Sequence, residues 1–259
     1  MDGERTLIRR YRGTLSYDGS AYQGFQRQKA GVPTVQAAVE QVIEQVTAQA
    51  VTLNGAGRTD TGVHATGQVI AFDIHWRHDA NALLRALNAN LPPDIALFSL
   101  ECLPEGSTFH PRFCASSRVY RYDVICAAQR QPLYRNRAWH VHHMLDGEAM
   151  AQAAALLIGD LDFGAFGQPP QGESTRRTVY RSQWAHDPGV PVAWWRYTVE
   201  ANAFLQHMVR RIVGHLLDVG RGWRTLAEFQ SVLQSAHIAP RWTVAPPQGL
   251  TLVEVKYEE

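Results

Sequence analysis

Hydrophobic positions along the chain change period several times, and the changes divide its first hundred residues into a succession of strands and helices. Two stretches with helical spacing follow good N-capping residues: one runs to about residue 48 after Thr34, and the other covers about 80–90 after Asp79. Alternating or β-branched stretches lie between and around them. Strands are predicted at 6–17, 50–54, 68–75 and 94–103. The resulting order is β-α-β-β-α-β.

The remainder of the chain repeats this order. Helices are predicted at about 147–158 after Asp146, at about 203–219, and at about 225–235 as an inserted element. Strands are predicted at 118–126, at 177–186 and 192–201 around a Pro188-Gly189 turn, and at 250–257. Two such runs predict an α+β protein of two ferredoxin-like halves, with antiparallel sheets, helices on one face and an active cleft between the halves.

The predicted boundary lies near residue 106. We expect an N-terminal ferredoxin-like domain at 1–106 that carries a glycine-rich loop at 55–67. We expect a second domain at 107–259 that carries a basic strand and the inserted helix. The two halves show no repeat of sequence, so their similarity is one of pattern only.

Composition adds an imbalance among the basic residues. The 259 residues include 25 basic and 24 acidic side chains, but Lys29 and Lys256 are the only lysines. Two explanations stay open: a genome-level preference for arginine codons, or a use for the planar guanidinium, which binds phosphate and stacks on bases. Three cysteines without a C-x-x-C pair disfavour disulfides and structural zinc. With no leader and no long apolar run, we expect a cytoplasmic protein.

The glycine-rich loop holds the densest chemistry: Arg58, Asp60 and His64 lie among three glycines. A phosphate-binding loop is one interpretation, although the P-loop spacing and its lysine are absent. A metal site is a second, although the loop supplies too few ligands. A third is an exposed carboxylate, Asp60, kept ionised by Arg58 as a nucleophile or base. A surface turn with an Asp–Arg pair explains the composition equally well.

A second signal is a basic stretch between Thr108 and Arg137, with six arginines against one acid, Asp123. Five aromatic residues interleave with them, a combination typical of proteins that bind unpaired RNA. Strand alternation places Tyr120 with Arg118 on one face. Smaller basic clusters lie at 176–181 and 210–211. Three histidines between 140 and 143 are explained by strand alternation, so no metal site is predicted.

At this point the sequence resembles the bacterial tRNA pseudouridine synthase A family. The strongest match is AGRTDTGVHATGQV at 56–69. Further matching segments extend over nearly the whole chain: YDGSAYQGFQRQ at 17–28, VQAAVE at 35–40, NANLPPDI at 88–95, FHPRF at 109–113, RVYRY at 118–122, DF-x-x-F at 162–166, NAFLQHMVRRIVG at 202–214 and GLTLVEVKY at 249–257.

The resemblance implies conversion of uridine to pseudouridine at positions 38, 39 and 40 of the tRNA anticodon stem-loop. It also implies a homodimer and no metal or organic cofactor. By position in the matching motifs, Asp60 would be the catalytic aspartate, and Arg58 would pair with it and help to open the stem. Tyr120 would stack on the target base, and Arg210 would form the ion pair that orients Asp60.

The same resemblance implies a wider set of substrate-binding residues: His64, Phe109, His110, Arg112, Phe113, Arg176, Arg177, Thr178 and Leu250. Two positions depart from the usual motif. Phe25 stands where tryptophan is more usual, and Pro111 stands where a small residue is. We expect that neither residue touches the loop of Asp60, and therefore that they affect local contacts rather than the activity.

Overall fold

The computed structural model describes residues 8–169, 172, 174–188 and 192–258. The first residues of the predicted strand 6–17, and Gly189 of the predicted turn, lie outside them. In chain order the strands and α-helices are β1 (Arg9–Tyr17), α1 (Val35–Thr47), β2 (Asn54–Gly55), β3 (His64–Ile74), α2 (Ala80–Asn90), β4 (Ile95–Cys102), β5 (Ala115–Cys126), β6 (Trp139–Val141), α3 (Gly147–Ala155), β7 (Gly159–Asp162), β8 (Arg176–Asp187), β9 (Ala193–Ala201), α4 (Met208–Gly220), α5 (Leu226–Ser235) and β10 (Leu250–Tyr257).

The predicted α+β class is confirmed, and the chain divides into two compact units. Unit 1 contains the residues up to Ser116 and those from Leu252 on, and unit 2 is Ser117–Thr251. No helix of the described residues is both long and apolar enough to cross a membrane.

Unit 1 has the strand order β4-β1-β3, with every pair antiparallel. The predicted caps are present: the Thr34 hydroxyl accepts from Ala37 N–H and the Asp79 carboxylate from Ala82 N–H. In β1, Tyr11, Leu15 and Tyr17 are buried, while Arg12, Thr14 and Ser16 between them are not. This alternation gives the sheet its apolar face.

The strand predicted at 50–54 is reduced to the two residues of β2, which pair with β3. The preceding backbone is bound by a helix instead. Leu53 N–H donates to Glu40 Oε1 over 2.9 Å, and Gln36 Nε2 donates to the Leu53 carbonyl over 3.0 Å. Because α1 side chains satisfy these backbone groups, β2 does not have to extend further to satisfy them.

Unit 2 has the order β5-β9-β8-β7, with antiparallel pairs and with β6 parallel to β5. The predicted inserted helix is confirmed as α5, which Thr225 and Glu228 cap reciprocally. The helix predicted from 203 begins later, at Met208. His207 has a left-handed φ of 63°, and Gln206 N–H donates to the Gln168 carbonyl, so these residues cannot continue a helix.

The last strand groups with unit 1 from Leu252 on, whereas its position in the sequence suggested the second half. Its neighbour within unit 1 is β3. A Cβ at Gly67 of β3 would lie only 2.2 Å from the Val253 carbonyl oxygen, so glycine is required where the strands approach. Hydrophobic alternation predicts a strand but does not identify its partner.

Candidate functional site

Asp60 lies in a short loop between β2 and β3, and the backbone on both sides of it is anchored. Thr59 is buried, and its hydroxyl is 2.8 Å from the Tyr17 hydroxyl. Phe25 N–H donates to the Thr59 carbonyl over 3.1 Å, and Val63 N–H donates to the Asp60 carbonyl over 3.1 Å. These bonds hold the half-buried Asp60 in one place relative to the sheet.

The start of the loop is bound by one buried side chain, Gln68 of β3. Its carboxamide accepts from Gly57 N–H over 3.2 Å and donates to the Gly57 carbonyl over 2.7 Å. Gln68 has no exposed surface, so this pair of bonds satisfies a polar group in the core. A glutamine directly before the apolar run VIAF at 69–72 was the signal available in the sequence for this role.

Two expectations about this loop need correction. Phe25 does contact it, through the Thr59 bond, and a Cβ at Gly55 would lie 2.4 Å from the Phe25 ring. Arg58 is exposed and forms no ion pair with Asp60 within the described part of the chain. An exposed pair gains little free energy in water, so the guanidinium stays solvated.

His64 lies at the far end of the loop, and its side chain is buried. Its Nδ1 accepts from Gly19 N–H over 3.0 Å and lies 3.1 Å from Asp18 Oδ1. A Cβ at Gly19 would lie 2.0 Å from the Val63 carbonyl oxygen, so the 3₁₀ turn Gly19–Ala21 packs directly on the loop. The imidazole therefore supports the loop from inside unit 1.

In unit 2, Tyr120 and Leu250 are almost fully buried. The Tyr120 ring meets Phe204 edge-on, with centroids 5.0 Å apart. Arg210, in the first turn of α4, is half buried, and its Nε donates to the Ala245 carbonyl over 2.8 Å.

The segment 243–246 that receives Arg210 is itself well anchored. The Asp218 carboxylate accepts from both the backbone N–H and the hydroxyl of Thr243, at 2.9 and 2.6 Å. Tyr122 donates its hydroxyl to the Pro246 carbonyl over 2.7 Å. Burial raises the pKa of Tyr122 well above its ordinary value, so it remains a neutral donor.

The predicted substrate-binding segment 109–113 lies in unit 1 against β1 and β10. Phe109 packs on Tyr257, with centroids 5.1 Å apart, and Arg12 lies over both rings. His110 Nδ1 accepts from Arg112 N–H over 3.1 Å. Burial, and secondly the nearby Arg10, lower the pKa of His110, so it is neutral near pH 7.

Phe113 is 74 % exposed, which makes it the most accessible aromatic ring of this segment. Its ring centroid is 4.3 Å from that of His110 and 5.9 Å from the Arg112 guanidinium carbon. An exposed ring can stack on a base, and a guanidinium beside it can bind the phosphate of the same nucleotide.

The basic stretch at 176–178 opens β8 in unit 2. Arg176 pairs with Asp160 over 3.3 Å at the surface, and Arg177 donates to the carbonyls of Ser174 and Arg176. Thr178 N–H donates to the Asn202 side chain over 3.0 Å. Both arginines therefore have partners within the protein.

The three histidines of 140–143 were expected to bind no metal. His140 Nε2 is 2.7 Å from the Ala127 carbonyl, and the rings of His140 and His142 meet edge-on at 4.4 Å. Within the described residues, no group of three histidine, cysteine or carboxylate side chains is placed to hold a metal ion.

Comparison with known proteins adds to this geometry. Residues 15–113 and 153–258 match the family described as tRNA pseudouridine synthase. The chain belongs to the tRNA pseudouridine synthase family, and the predictions of this family and of an isomerase are confirmed. The match includes the Asp60 loop, the segment 109–113 and the first turn of α4.

Curated relatives named tRNA pseudouridine synthase A cover nearly the whole chain. That of Neisseria meningitidis serogroup C is 44% identical over 248 residues, which is 95% of this chain and 91% of the relative. That of Chloroflexus aurantiacus is 43% identical over 245 residues, 94% and 87% of the two chains. That of Alcanivorax borkumensis is 38% identical over 246 residues, 95% and 90% of the two chains.

Among solved structures, an archaeal box H/ACA sRNP Nop10–Cbf5 complex aligns with a TM-score of 0.35 at 12% identity. The alignment covers 80% of this chain and 44% of the other. This score is too low to establish a common fold.

Proposed function

We propose that the protein converts uridine to pseudouridine at positions 38, 39 and 40 of the tRNA anticodon stem-loop, with Asp60 as its single catalytic carboxylate. One observation carries the proposal. In a chain of this family, Asp60 projects from a loop whose backbone is bound at Gly57, Thr59 and Asp60 itself. Such anchoring preorganises one carboxylate for chemistry, which RNA binding alone does not require.

The reaction breaks the N1–C1′ glycosidic bond, rotates the uracil and joins C5 to C1′. The hydrogen on C5 leaves as a proton and N1 gains one, so no net oxidation occurs and no phosphoryl group moves. One carboxylate is sufficient, as a nucleophile on C6 or C1′ or as a base that removes the 2′ proton. The target nucleotide must first leave its stack, at a cost of a few kcal/mol.

Other side chains take supporting roles in the proposal. The exposed Arg58 enters the stem and binds phosphate, Tyr120 stacks on the target base, and Arg210 orients Asp60. His110, Arg112 and the other residues of the predicted substrate-binding set, with Leu250, contact the RNA or shape the surface that receives it.

The decisive experiment measures tritium released from [5-³H]uridine tRNA. Asp60→Asn should abolish release, while tRNA affinity stays within a few-fold of the wild type. Asp73→Asn is the matched control, since Asp73 is a carboxylate of unit 1 that pairs with Arg10 at the surface. Substantial turnover by Asp60→Asn would refute the role of the carboxylate.

The target positions 38, 39 and 40 of the tRNA are tested separately by changing the substrate. Transcripts with cytidine at 38, 39 and 40 should release no tritium, and each uridine restored singly should restore part of the release. Release from the fully substituted transcript would place the target elsewhere in the tRNA.

We also propose, from family membership, that the protein acts in the cytoplasm as a homodimer in which one tRNA contacts both subunits. Light scattering coupled to size-exclusion chromatography, with and without tRNA, measures the oligomeric state. A monomer under both conditions would contradict the dimer and leave the proposed chemistry untouched.

A further inference from the structure

Asp123 of β5 organises three side chains on one face of the unit 2 sheet. Its carboxylate accepts from Arg121 Nε at 2.9 Å, from Arg196 Nε at 2.9 Å and from the Trp194 indole N–H at 2.8 Å. The Asp123 side chain is only 5% exposed, whereas those of Arg121 and Arg196 are 34% and 46% exposed. A buried carboxylate therefore fixes two accessible guanidinium groups and one indole.

The way the arginines bind Asp123 leaves most of their donors available. Each uses Nε alone, whereas the common arginine–carboxylate pair uses two nitrogens. Within the described residues, the side chains of Arg121 and Arg196 have no other hydrogen bond or ion pair. Their terminal amino groups are thus positioned on one surface without being used, an arrangement suited to a phosphate group.

A pocket adjoins this pair. It has a volume of about 680 Å³, and its lining includes Arg196 and Trp194 together with Gln131, Tyr134, His186 and Asp187. The Tyr134 ring meets Trp194 edge-on with centroids 5.1 Å apart, and Tyr134 is 39% exposed. Exposed aromatic surface with amide and imidazole groups nearby offers a place for a base.

The charge around the pocket favours an anionic occupant. Arg130 and Arg135 flank its lining segment and are both exposed. The lining itself contains one acid, Asp187, and Asp123 beside it is already bound by Arg121 and Arg196.

We infer that the Asp123 cluster and its pocket bind one unpaired nucleotide of the RNA substrate. The phosphate lies on Arg121 and Arg196, and the base enters the pocket against Tyr134 and Trp194. The inference rests on the proposed function, because that function supplies the RNA. It adds a binding site within unit 2 that uses none of the side chains assigned to the isomerisation.

The test measures binding of a full-length tRNA transcript over a series of salt concentrations. Arg121→Gln and Arg196→Gln should each weaken binding about 3- to 10-fold and reduce the salt slope by about one. Tyr134→Ala should weaken binding about 5-fold or more with an unchanged slope, because stacking carries no counterion release. Arg85 is an exposed arginine of α2, and Arg85→Gln is the charge-matched control. It should change tRNA affinity and the salt slope less than Arg121→Gln or Arg196→Gln does.

Circular dichroism melts establish that each variant is folded, and Asp123 itself is left intact so that its two arginines keep their partner. If all three variants bind tRNA with wild-type affinity and slope while the wild type isomerises tRNA, the site is refuted and the proposed function stands. If the wild type neither binds nor isomerises tRNA, both fail. If uridine or adenosine monophosphate binds the wild type and is lost in Arg196→Gln while tRNA binding is unchanged, the site takes free nucleotides and the inference is overturned.

Discussion

Arg210 and Ala245 are joined by two hydrogen bonds that run in opposite directions. Arg210 Nε donates to the Ala245 carbonyl over 2.8 Å, and Ala245 N–H donates to the Arg210 carbonyl over 3.0 Å. Gly214 makes the approach possible, since a Cβ there would lie 2.0 Å from the Thr243 carbonyl oxygen. The direction of the Arg210 side chain is therefore set by a segment thirty-odd residues away as well as by its own helix.

Arg210→Lys keeps the charge but loses the planar group that bonds Ala245 through Nε. We expect tritium release to fall at least about tenfold, while the free energy of unfolding falls by no more than about 1.5 kcal/mol, the net value of one hydrogen bond. Single-turnover release and urea unfolding measure the two effects, and Arg85→Lys is the control. Wild-type turnover in Arg210→Lys would show that charge alone is sufficient.

Gly24 and Gly31 form a matched pair of glycines with left-handed φ values of 93° and 86°. A Cβ at Gly24 would lie 2.7 Å from the Thr59 carbonyl, whereas a Cβ at Gly31 meets nothing within 4 Å. Alanine at either position costs about 1–2 kcal/mol of backbone strain. Only Gly24→Ala should also displace Thr59, the residue before Asp60, and therefore reduce turnover about tenfold or more. Equal turnover in the two variants would mean that the Thr59 position is unimportant for the reaction.

Arg112 lies beside the exposed Phe113 in the segment 109–113. If its guanidinium binds RNA phosphate, Arg112→Gln should weaken tRNA binding and lower the slope of log affinity against log salt by about one. Filter binding over a salt series measures both quantities. An unchanged slope, with unfolding also unchanged, would indicate that Arg112 does not meet phosphate.

His215 of α4 gives an expected pH dependence of stability. Burial, and secondly Arg211, lower its pKa to about 3. In the unfolded chain the pKa of histidine is about 6.5. Between about pH 6.5 and pH 3 the unfolded chain therefore binds a proton that the folded protein does not, and stability falls as the pH drops below about 6.5. Across that window this residue contributes up to about 1.4 kcal/mol per pH unit. Urea unfolding between pH 7.5 and 5 should show a shallower dependence for His215→Gln, and equal slopes would contradict the assignment.

Local elements of the fold were predictable because their causes are local. Helix α2 begins and ends as the sequence indicates, since Asp79 supplies its cap and Pro92 follows its end. Helix α4 was predicted to begin too early, because the backbone bond that interrupts residues 203–207 goes to Gln168, which is distant in the sequence. The four-residue strand β7 was not predicted, since GDLD carries too little hydrophobic pattern.

The candidate site was likewise predictable only in part. The motif around Asp60 was recognisable in the sequence, but its supports were not. Tyr17 and Phe25 reach the loop from an earlier part of the chain, and no spacing rule connects them to it. Gln68 lies within the motif itself, but the sequence does not indicate that it binds the backbone of Gly57. The Arg58–Asp60 ion pair was expected because the two residues are close in sequence. Proximity in sequence does not determine whether an ion pair forms between side chains that water can solvate.

The pairing of β3 with β10 has a consequence for synthesis on the ribosome. Since β10 follows all of unit 2 in the chain, the strand that meets β3 at Gly67 is made long after β3 itself. A nascent chain that has released the first four strands still lacks this neighbour and exposes an edge to other chains. The sheet beneath the Asp60 loop is therefore completed late, so pauses during translation of unit 2 prolong the period in which unit 1 can aggregate.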